Sequence, residues 1–202
     1  MEAGRSLRDR VAAGEFVFGT LITEMRTSAL PMILARAGFD FVVIDLETGS
    51  LDMQVASELI RVSRLSGIAP IARTPDQSRE LLAKVLALGA VGVMVPGVDN
   101  KSQAEQIISS VRFPPQGTRG WSSNGSQTDY RPAAVTDLLE IGNANAFTLM
   151  QIESAEGISN ASEILEVPGV DAVLVGPGDL MLSLGVPGQP DSEIFLESVT
   201  SL

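Results

Sequence analysis

Short apolar runs alternate with longer amphipathic stretches along the chain. A run such as "FDFVVIDLE" (39–47) is almost continuously hydrophobic and rich in β-branched residues, which is typical of a strand covered on both faces. We therefore predict a strand at each run. The runs span 16–22, 39–47, 69–75, 90–96, 147–153 and 172–179, with a weaker candidate, "TRGWSS", at 118–123.

The stretches between the runs carry apolar residues at helical spacing, and several end in glycine, a common helix stop. Strands that alternate with helices predict βαβ units and a parallel sheet. Counting the weaker candidate gives seven units, which fit a TIM barrel short of its eighth unit or a doubly wound open sheet. The predicted helices lie at 28–38, 52–67, 76–89, 101–113 and 154–169.

Polar residues gather where the apolar runs end, and TIM barrels build their active sites at the carboxyl ends of their strands. This favours an α/β fold of the TIM (β/α)8 type. We predict one barrel domain over residues 1–202, truncated after its seventh strand–helix unit because no eighth strand is evident. The polar residues at the predicted strand ends are Asp45, Glu47, Arg73, Gln151, Glu153 and Asp179.

Charge and composition restrict the partners. The formal net charge is -11, so nucleic acid and anionic membranes are poor partners. No apolar run approaches the ~20 residues of a membrane span. The N-terminal stretch is polar and lacks the apolar segment of a signal peptide, and the chain has no cysteine. We therefore expect a cytoplasmic protein.

The chain contains no histidine, which removes the commonest general base and a common metal ligand. Glu153 and Asp179 end neighbouring predicted strands, and two carboxylates on one edge of a barrel suit a hard divalent cation such as Mg²⁺ or Mn²⁺. The alternative is that each acid caps the helix that follows it.

Other polar groups indicate how a substrate is held. The turn "GPGD" (176–179) offers backbone amides to a substrate carboxylate. Arg73 suits a ketone or enolate oxygen, and its alternative role is a salt bridge to a neighbouring acid. The loop over 114–132 is rich in Gly, Ser and Pro, and its Tyr130 is expected to pack or to make a loop contact.

Several segments together resemble the HpcH/HpaI aldolase family, the metal-dependent (class II) pyruvate aldolases. The resemblance covers nearly all of the chain and keeps the family's order of segments. Together the segments are far more specific than any single short motif. They read "GFDFVVIDLETGSLD", "IARTPD", "LGAVGVMVPGVDN", "FPPQGTRG", "LMQIESAEGI", "VDAVLVGPGDL" and "SLGVPGQPD".

This resemblance implies a TIM barrel that forms a homo-oligomer, commonly a hexamer. It implies that Glu153 and Asp179 hold Mg²⁺ or Mn²⁺, with Gln151 beside them. Amides near Gly178 and Asp179 are then expected to bind the carboxylate of pyruvate, and Arg73 to steady the enolate. The implied reaction is reversible cleavage of a 4-hydroxy-2-oxo acid to pyruvate and an aldehyde through a metal-stabilised enolate.

The segment "DLET" (45–48) departs from the family at one position. The family usually has a histidine after D-x-E, which works with a nearby acid as a proton shuttle, whereas this chain has Thr48. A threonine hydroxyl is too weakly acidic to become a base at neutral pH. The catalytic candidates are Arg73, Asp45, Thr48 and Glu47, with Asp45 expected in a polar network.

The missing histidine leaves two further functions open. One is a weakly active or non-catalytic protein that binds an oxo acid on the same barrel. The other is a related lyase that acts on an acyl-CoA ester, although the sequence has no concentrated basic patch for the CoA phosphates. The sequence does not indicate which aldehyde or oxo acid is used.

Overall fold

The fold is built on a parallel sheet of six strands that lie in sequence order. A computed structural model describes residues 6–122, 125–132 and 134–202. The architecture is an α/β half-barrel of the TIM type. The strands are β1 (Gly19–Ile22), β2 (Phe41–Asp45), β3 (Ala69–Arg73), β4 (Gly92–Val95), β5 (Phe147–Ile152) and β6 (Ala172–Val175).

Helices connect the strands, and their ends follow the sequence signals. In α3, for example, the Asp52 carboxylate accepts a hydrogen bond from the Val55 amide, and Gly67 ends the helix with a φ of 79°. The helices are α1 (Leu7–Ala12), α2 (Ala29–Arg36), α3 (Met53–Ser66), α4 (Arg79–Ala87), α5 (Lys101–Val111), α6 (Val135–Asn145), α7 (Ala155–Ser159), α8 (Ala161–Leu165), α9 (Pro177–Ser183) and α10 (Glu193–Thr200).

The sheet separates two hydrophobic clusters because side chains alternate between its faces. Val42 and Ile44 pack in the larger cluster, with residues of the surrounding helices, whereas Val43 packs in the smaller cluster on the inner face. This two-sided burial explains why the strands are continuously apolar. The smaller cluster consists of Leu7, Val43, Ile71, Met94, Phe147 and Leu149.

The sheet has two outer strands in the described part of the chain, since β1 pairs with β2 alone and β6 with β5 alone. Just before β1, the side chains of Phe16 and Phe18 are 90% and 67% exposed.

None of the helices in the described ranges has the length and apolar character that a membrane span requires.

The predicted weak strand at 118–123 is wrong for its described residues, so the described part of the chain forms six strands and six strand–helix units instead of seven. The backbone of this segment bonds to the end of α5: the Thr118 amide donates to Ser109 O at 2.7 Å, and the Arg119 amide to Arg112 O at 2.9 Å. These bonds take the place of a strand ladder. Ser123 lies outside the described residues.

Several helical regions also differ from the sequence pattern, and α1 was not predicted. The stretch predicted as one helix over 154–169 forms α7 and α8, which meet at Asn160. The Asn160 side chain turns back to donate to Asp99 O at 2.8 Å. Helix α6 was not predicted, and its start has no side-chain cap to mark it.

Candidate active site at the carboxyl ends of the strands

Strand alternation brings the predicted polar residues to the inner face of the sheet. Asp45 follows Val43 by two residues in β2, and Arg73 follows Ile71 by two in β3, so each continues an inner row of apolar side chains. Asp45 and Arg73 are also paired in the β2–β3 register. Gln151 continues the corresponding row of β5. We call this carboxyl edge of the sheet the rim.

Asp45 and Arg73 form a two-pronged ion pair at the rim. Arg73 Nε donates to Asp45 Oδ1 at 2.7 Å, and Arg73 Nη2 donates to Asp45 Oδ2 at 2.6 Å. Asp45 is fully buried. Arg73 therefore makes the salt bridge that was its alternative role, and Asp45 has the network position expected for it.

Thr48 joins this ion pair. Its hydroxyl donates to Asp45 Oδ2 at 2.8 Å and accepts from Arg73 Nη2 at 3.0 Å, and the Glu47 amide donates to Asp45 Oδ1 at 3.0 Å. Burial opposes ionisation of Asp45. The bonds from Arg73, the Glu47 amide and Thr48 outweigh it, and the pKa of Asp45 lies below its usual range.

The carboxylate of Glu47 has fewer hydrogen-bond partners than that of Asp45. Its Oε2 lies 3.0 Å from Arg73 Nη1, outside hydrogen-bond geometry, and no described residue donates a hydrogen bond to that atom. Burial raises the pKa of Glu47, Arg73 lowers it, and the charges of Glu153, Asp45 and Asp179 raise it further. Glu47 therefore has a buried acceptor atom and an ionised form that its surroundings disfavour.

Glu153 follows β5 and is held by neutral donors. The Gly97 amide donates to its Oε1 at 2.8 Å, and the Gln151 side-chain amide donates to its Oε2. A Cβ atom at position 176 would lie 2.9 Å from Glu153 Cβ, so a residue larger than glycine there would force the Glu153 side chain to shift. The following helix, α7, is capped by Ser154, so Glu153 does not serve as its cap.

Asp179 lies in the first turn of α9 and is exposed. Within the described residues its carboxylate makes no hydrogen bond or ion pair, and α9 has no side-chain cap. The backbone beside it is open as well, because a Cβ atom added at Gly178 would have no neighbour within 4 Å. The carboxylate of Asp179 and the backbone at Gly178 are thus accessible from the rim.

Two backbone features of the rim were not found from the sequence. One is the Gly97 amide that holds Glu153, although "MVPG" marked the end of a strand. The other is Gly49, where a Cβ atom would collide with the backbone carbonyl of Thr23. The glycine after Thr48 therefore lets the rim loop lie against the chain that follows β1.

Tyr130 makes a loop contact, with its hydroxyl 3.0 Å from Ser126 Oγ.

The rim offers oxygen ligands for a cation, but an incomplete set. In the described part of the chain, no group of three or more His, Cys, Asp or Glu side chains is arranged to hold a metal ion. Mg²⁺ is commonly bound by one or two carboxylates together with water and substrate oxygens. Glu153, Asp179 and the amide oxygen of Gln151 fit that chemistry, and Glu153 has no charged donor of its own.

Comparison with known proteins shows what the chain is similar to. A model of the family described as HpcH/HpaI aldolase/citrate lyase matches residues 23–201. The chain is 34% identical, over 166 residues, to 2-dehydro-3,6-dideoxy-6-sulfogluconate aldolase of Pseudomonas putida, and the match covers 81% of this chain and 64% of that enzyme. It is 31% identical to 2-keto-3-deoxy-L-rhamnonate aldolase of Escherichia coli, covering 95% of this chain and 72% of the relative.

A solved structure agrees with these matches. The crystal structure of an HpcH/HpaI aldolase from Desulfitobacterium hafniense superposes with a TM-score of 0.92 at 29% identity, covering 98% of this chain and 76% of the other. The sequence relatives named above are aldehyde-lyases, and the family match extends over most of the chain. The chain belongs to the HpcH/HpaI aldolase/citrate lyase family.

Proposed function

We propose that this chain carries the active site of a divalent-cation-dependent lyase. The reaction cleaves or forms a carbon–carbon bond of a 4-hydroxy-2-oxo acid and gives pyruvate and an aldehyde. The observation that carries this proposal is the arrangement of the rim, where Glu153, Gln151 and Asp179 lie beside the Asp45–Arg73 pair in a member of this family. The two sequence relatives named above are aldolases of oxo acids.

The charge balance of the rim supports a bound cation. Four carboxylates, those of Asp45, Glu47, Glu153 and Asp179, interact electrostatically, and Arg73 is the cation among the groups that act on Glu47. We propose that Glu153 and Asp179 hold Mg²⁺ or Mn²⁺, with Gln151 orienting Glu153. Such an ion polarises the 2-oxo oxygen of the substrate, which favours electron flow toward that oxygen.

The remaining groups hold the substrate. The amides near Gly178 and Asp179 are the proposed contact of the substrate carboxylate, and the space around Gly178 is open to receive it. Arg73 is positioned by Asp45 and Thr48, so its direction is fixed before a substrate binds. Its Nη1 lies 3.5 Å from Gln151 Oε1 and faces the cation ligands. We assign Arg73 to the oxygen that gains negative charge.

Cleavage requires one proton acceptor. The C3–C4 bond breaks as the 4-hydroxyl proton leaves, the C4–O bond becomes the aldehyde carbonyl, and the bonding electrons pass to C3 to form the enolate of pyruvate. Protonation at C3 then gives the methyl group. Thr48 is not a base at neutral pH, and its hydroxyl already bonds to Asp45 and Arg73. Glu47 is the better candidate, because Oε2 accepts no hydrogen bond from a described residue.

A second candidate function follows from the same threonine. A chain that binds an oxo acid and a cation but turns over slowly fits a rim in which the usual histidine is replaced by a residue locked into an ion-pair network. The first function requires a working base elsewhere on the rim, and the second does not.

One experiment separates the two. Mn²⁺ is titrated into the protein with and without pyruvate in a calorimeter, and cleavage of 4-hydroxy-2-oxo acids is then followed by coupled detection of pyruvate. We expect pyruvate-dependent binding of Mn²⁺ together with cleavage that EDTA abolishes. Binding without measurable cleavage supports the second function. Cleavage that is unchanged by EDTA and by Glu153→Gln contradicts the assignment of the cation site.

A further inference from the structure

A cavity lies at the amino end of the sheet, opposite the rim. Its volume is about 250 Å³. Ala90 and Val91 line it just before β4 begins, and Ala146 lines it just before β5 begins, which places it below the strands. Helix α6 forms one wall. The lining residues on which the argument depends are Leu86, Ala90, Phe113, Arg119, Leu138 and Ile141.

Arg119 is the polar group at the centre of the argument. Arg119 is only 6% exposed, and its Nε atom has no hydrogen-bond partner among the described residues. Nη2 donates to Gln127 Oε1 at 2.9 Å, and the guanidinium lies over the Phe113 ring at 4.3 Å from its centroid. A buried cation is therefore held in place by one neutral acceptor, and most of its N–H donors have no partner among the described residues.

No carboxylate in the described part of the chain pairs with Arg119. The other arginines nearby have such partners: Arg64 pairs with Asp129 at 2.9 Å, and Arg112 lies 3.7 Å from Asp171. Burial lowers the pKa of Arg119 to about 10, with a smaller contribution from the charge of Arg112. A buried charge without a counter-ion is costly, and an anion that enters the cavity relieves that cost.

We propose that this cavity binds a small monocarboxylate with an apolar body, either aliphatic or aromatic. The carboxylate accepts hydrogen bonds from the terminal N–H groups of Arg119 that do not bond to Gln127, and the body packs against Leu86, Ala90, Leu138 and Ile141. A phosphate is a poorer fit, since it needs several donors, Arg64 in the lining is already paired with Asp129, and most of the other lining residues are apolar. The volume lies just below the range of ordinary ligand pockets, roughly 300–1,000 Å³, which limits the ligand to about one ring or a short chain.

This site is separate from the rim and does not depend on the proposed lyase activity. Its walls come from the chain before β4 and β5 and from α6, whereas the rim groups lie at or after the carboxyl ends of β2, β3, β5 and β6. Asp137 lies on the exposed side of the cavity and adds a negative charge there. That charge favours ligands with a single negative charge over dianions.

The test uses benzoate and hexanoate as probes and benzamide as the uncharged analogue of benzoate. Binding to the full chain is measured by calorimetry in EDTA, and again with Mn²⁺ and saturating pyruvate, which together occupy the proposed rim site. We expect benzoate to bind at least about tenfold more tightly than benzamide, because a charge-assisted hydrogen bond to a buried guanidinium distinguishes them. Pyruvate leaves this binding unchanged.

Two variants locate the binding. Arg119→Met keeps an apolar stem and removes the charge, and Ile141→Trp fills the cavity from its exposed edge. Each variant is expected to lower the affinity for benzoate at least about tenfold. Ile33→Trp on α2 is the matched control, since Ile33 and Ile141 are similarly exposed at 61% and 58%. It leaves binding unchanged. Should Arg119→Met fail to fold in a thermal melt, Ile141→Trp still decides the question.

Several results overturn the proposal. They are no binding of either carboxylate at millimolar concentration, equal affinity for benzoate and benzamide, displacement by pyruvate, and benzoate affinity that survives Ile141→Trp. Displacement by pyruvate assigns the probe to the rim instead.

Discussion

The two halves of the rim differ in how completely their charges are paired. In the half formed by β2 and β3, Asp45 is fully buried and accepts hydrogen bonds from Arg73, Thr48 and the Glu47 amide. In the half formed by β5 and β6, Glu153 is held by two neutral amides, and Asp179 is exposed and unbonded within the described residues. The buried Asp45 carboxylate is thus neutralised by Arg73, whereas Glu153 and Asp179 keep their negative charge available to a cation.

The largest effect is expected from Arg73→Met, which leaves Asp45 as a buried carboxylate without its cation. We expect the free energy of unfolding to fall by about 3–5 kcal/mol, the usual cost of breaking one side of a buried ion pair. Urea denaturation measures it. Arg61→Met is the control, because Arg61 is exposed and its described bond is a long one to Ser57. A loss below about 1 kcal/mol would mean that the pair is not a stabilising part of this half.

Thr48→His tests whether the first half lacks a base. Thr48 is exposed, so a larger side chain has room, and an imidazole N–H can replace the threonine hydroxyl as donor to Asp45. General-base help is worth roughly 10²–10⁴-fold, and we expect cleavage of a 4-hydroxy-2-oxo acid to rise by about 10²-fold. Oxaloacetate decarboxylation should rise much less, because loss of CO₂ forms the enolate without initial proton removal.

Steady-state rates of both reactions decide this prediction. A wild-type chain that already cleaves 4-hydroxy-2-oxo acids rapidly and gains nothing from histidine contradicts it. In that case Glu47→Gln shows whether Glu47 is the base, since the glutamine keeps the size of the side chain and removes its ability to accept a proton.

Asp179→Asn tests the second half. Loss of a charged ligand should weaken Mn²⁺ binding by about tenfold or more. Glu153→Gln should act in the same direction, and calorimetric titration gives both affinities. Glu156→Gln is the matched control, because Glu156 is an exposed acid in the first turn of α7. Unchanged Mn²⁺ affinity in Asp179→Asn would mean that Asp179 does not bind the cation and serves only to stabilise the amino end of α9.

The smallest effect concerns the boundary between the halves, where the pKa of Glu47 is raised by burial and by neighbouring carboxylates. A raised pKa means that the folded state disfavours the ionised form. The resulting loss of stability begins as pH rises above the ordinary value of about 4.3. In EDTA, Glu47→Gln should therefore melt at a higher temperature than wild type at pH 7 and at nearly the same temperature near pH 3. A lower melting temperature at pH 7 would show that attraction to Arg73 dominates.

The sequence predicted much of this arrangement, because strand alternation is a local property. Residues two apart share a face, so Val43 and Asp45 had to point the same way, and the ends of parallel strands had to meet at one edge. The placement of the predicted polar residues at the rim followed from this. The pattern did not predict which donor atoms meet, since the bond from Thr48 to Asp45 depends on the path of a loop.

The features that the sequence did not predict depend on contacts between distant segments. The segment after Gly117 resembled a strand, but its amides bond to the end of α5. The Gly97 amide that holds Glu153 carries no side-chain signal. The cavity around Arg119 combines α6, which has no capping residue, with the chain before two strands. Nothing local in any of these segments indicates that they meet.

The order of strands in the sheet has a consequence for how the protein is made. Each strand pairs with the one before it in the chain, so no pairing has to wait for a distant partner. A chain that leaves the ribosome amino end first can add one strand and helix at a time. The Asp45–Arg73 pair is complete once β3 has docked, whereas Glu153 and Asp179 arrive with the last two strands. The neutral Asp45–Arg73 pair is therefore in place before Glu153 and Asp179 add their repulsion.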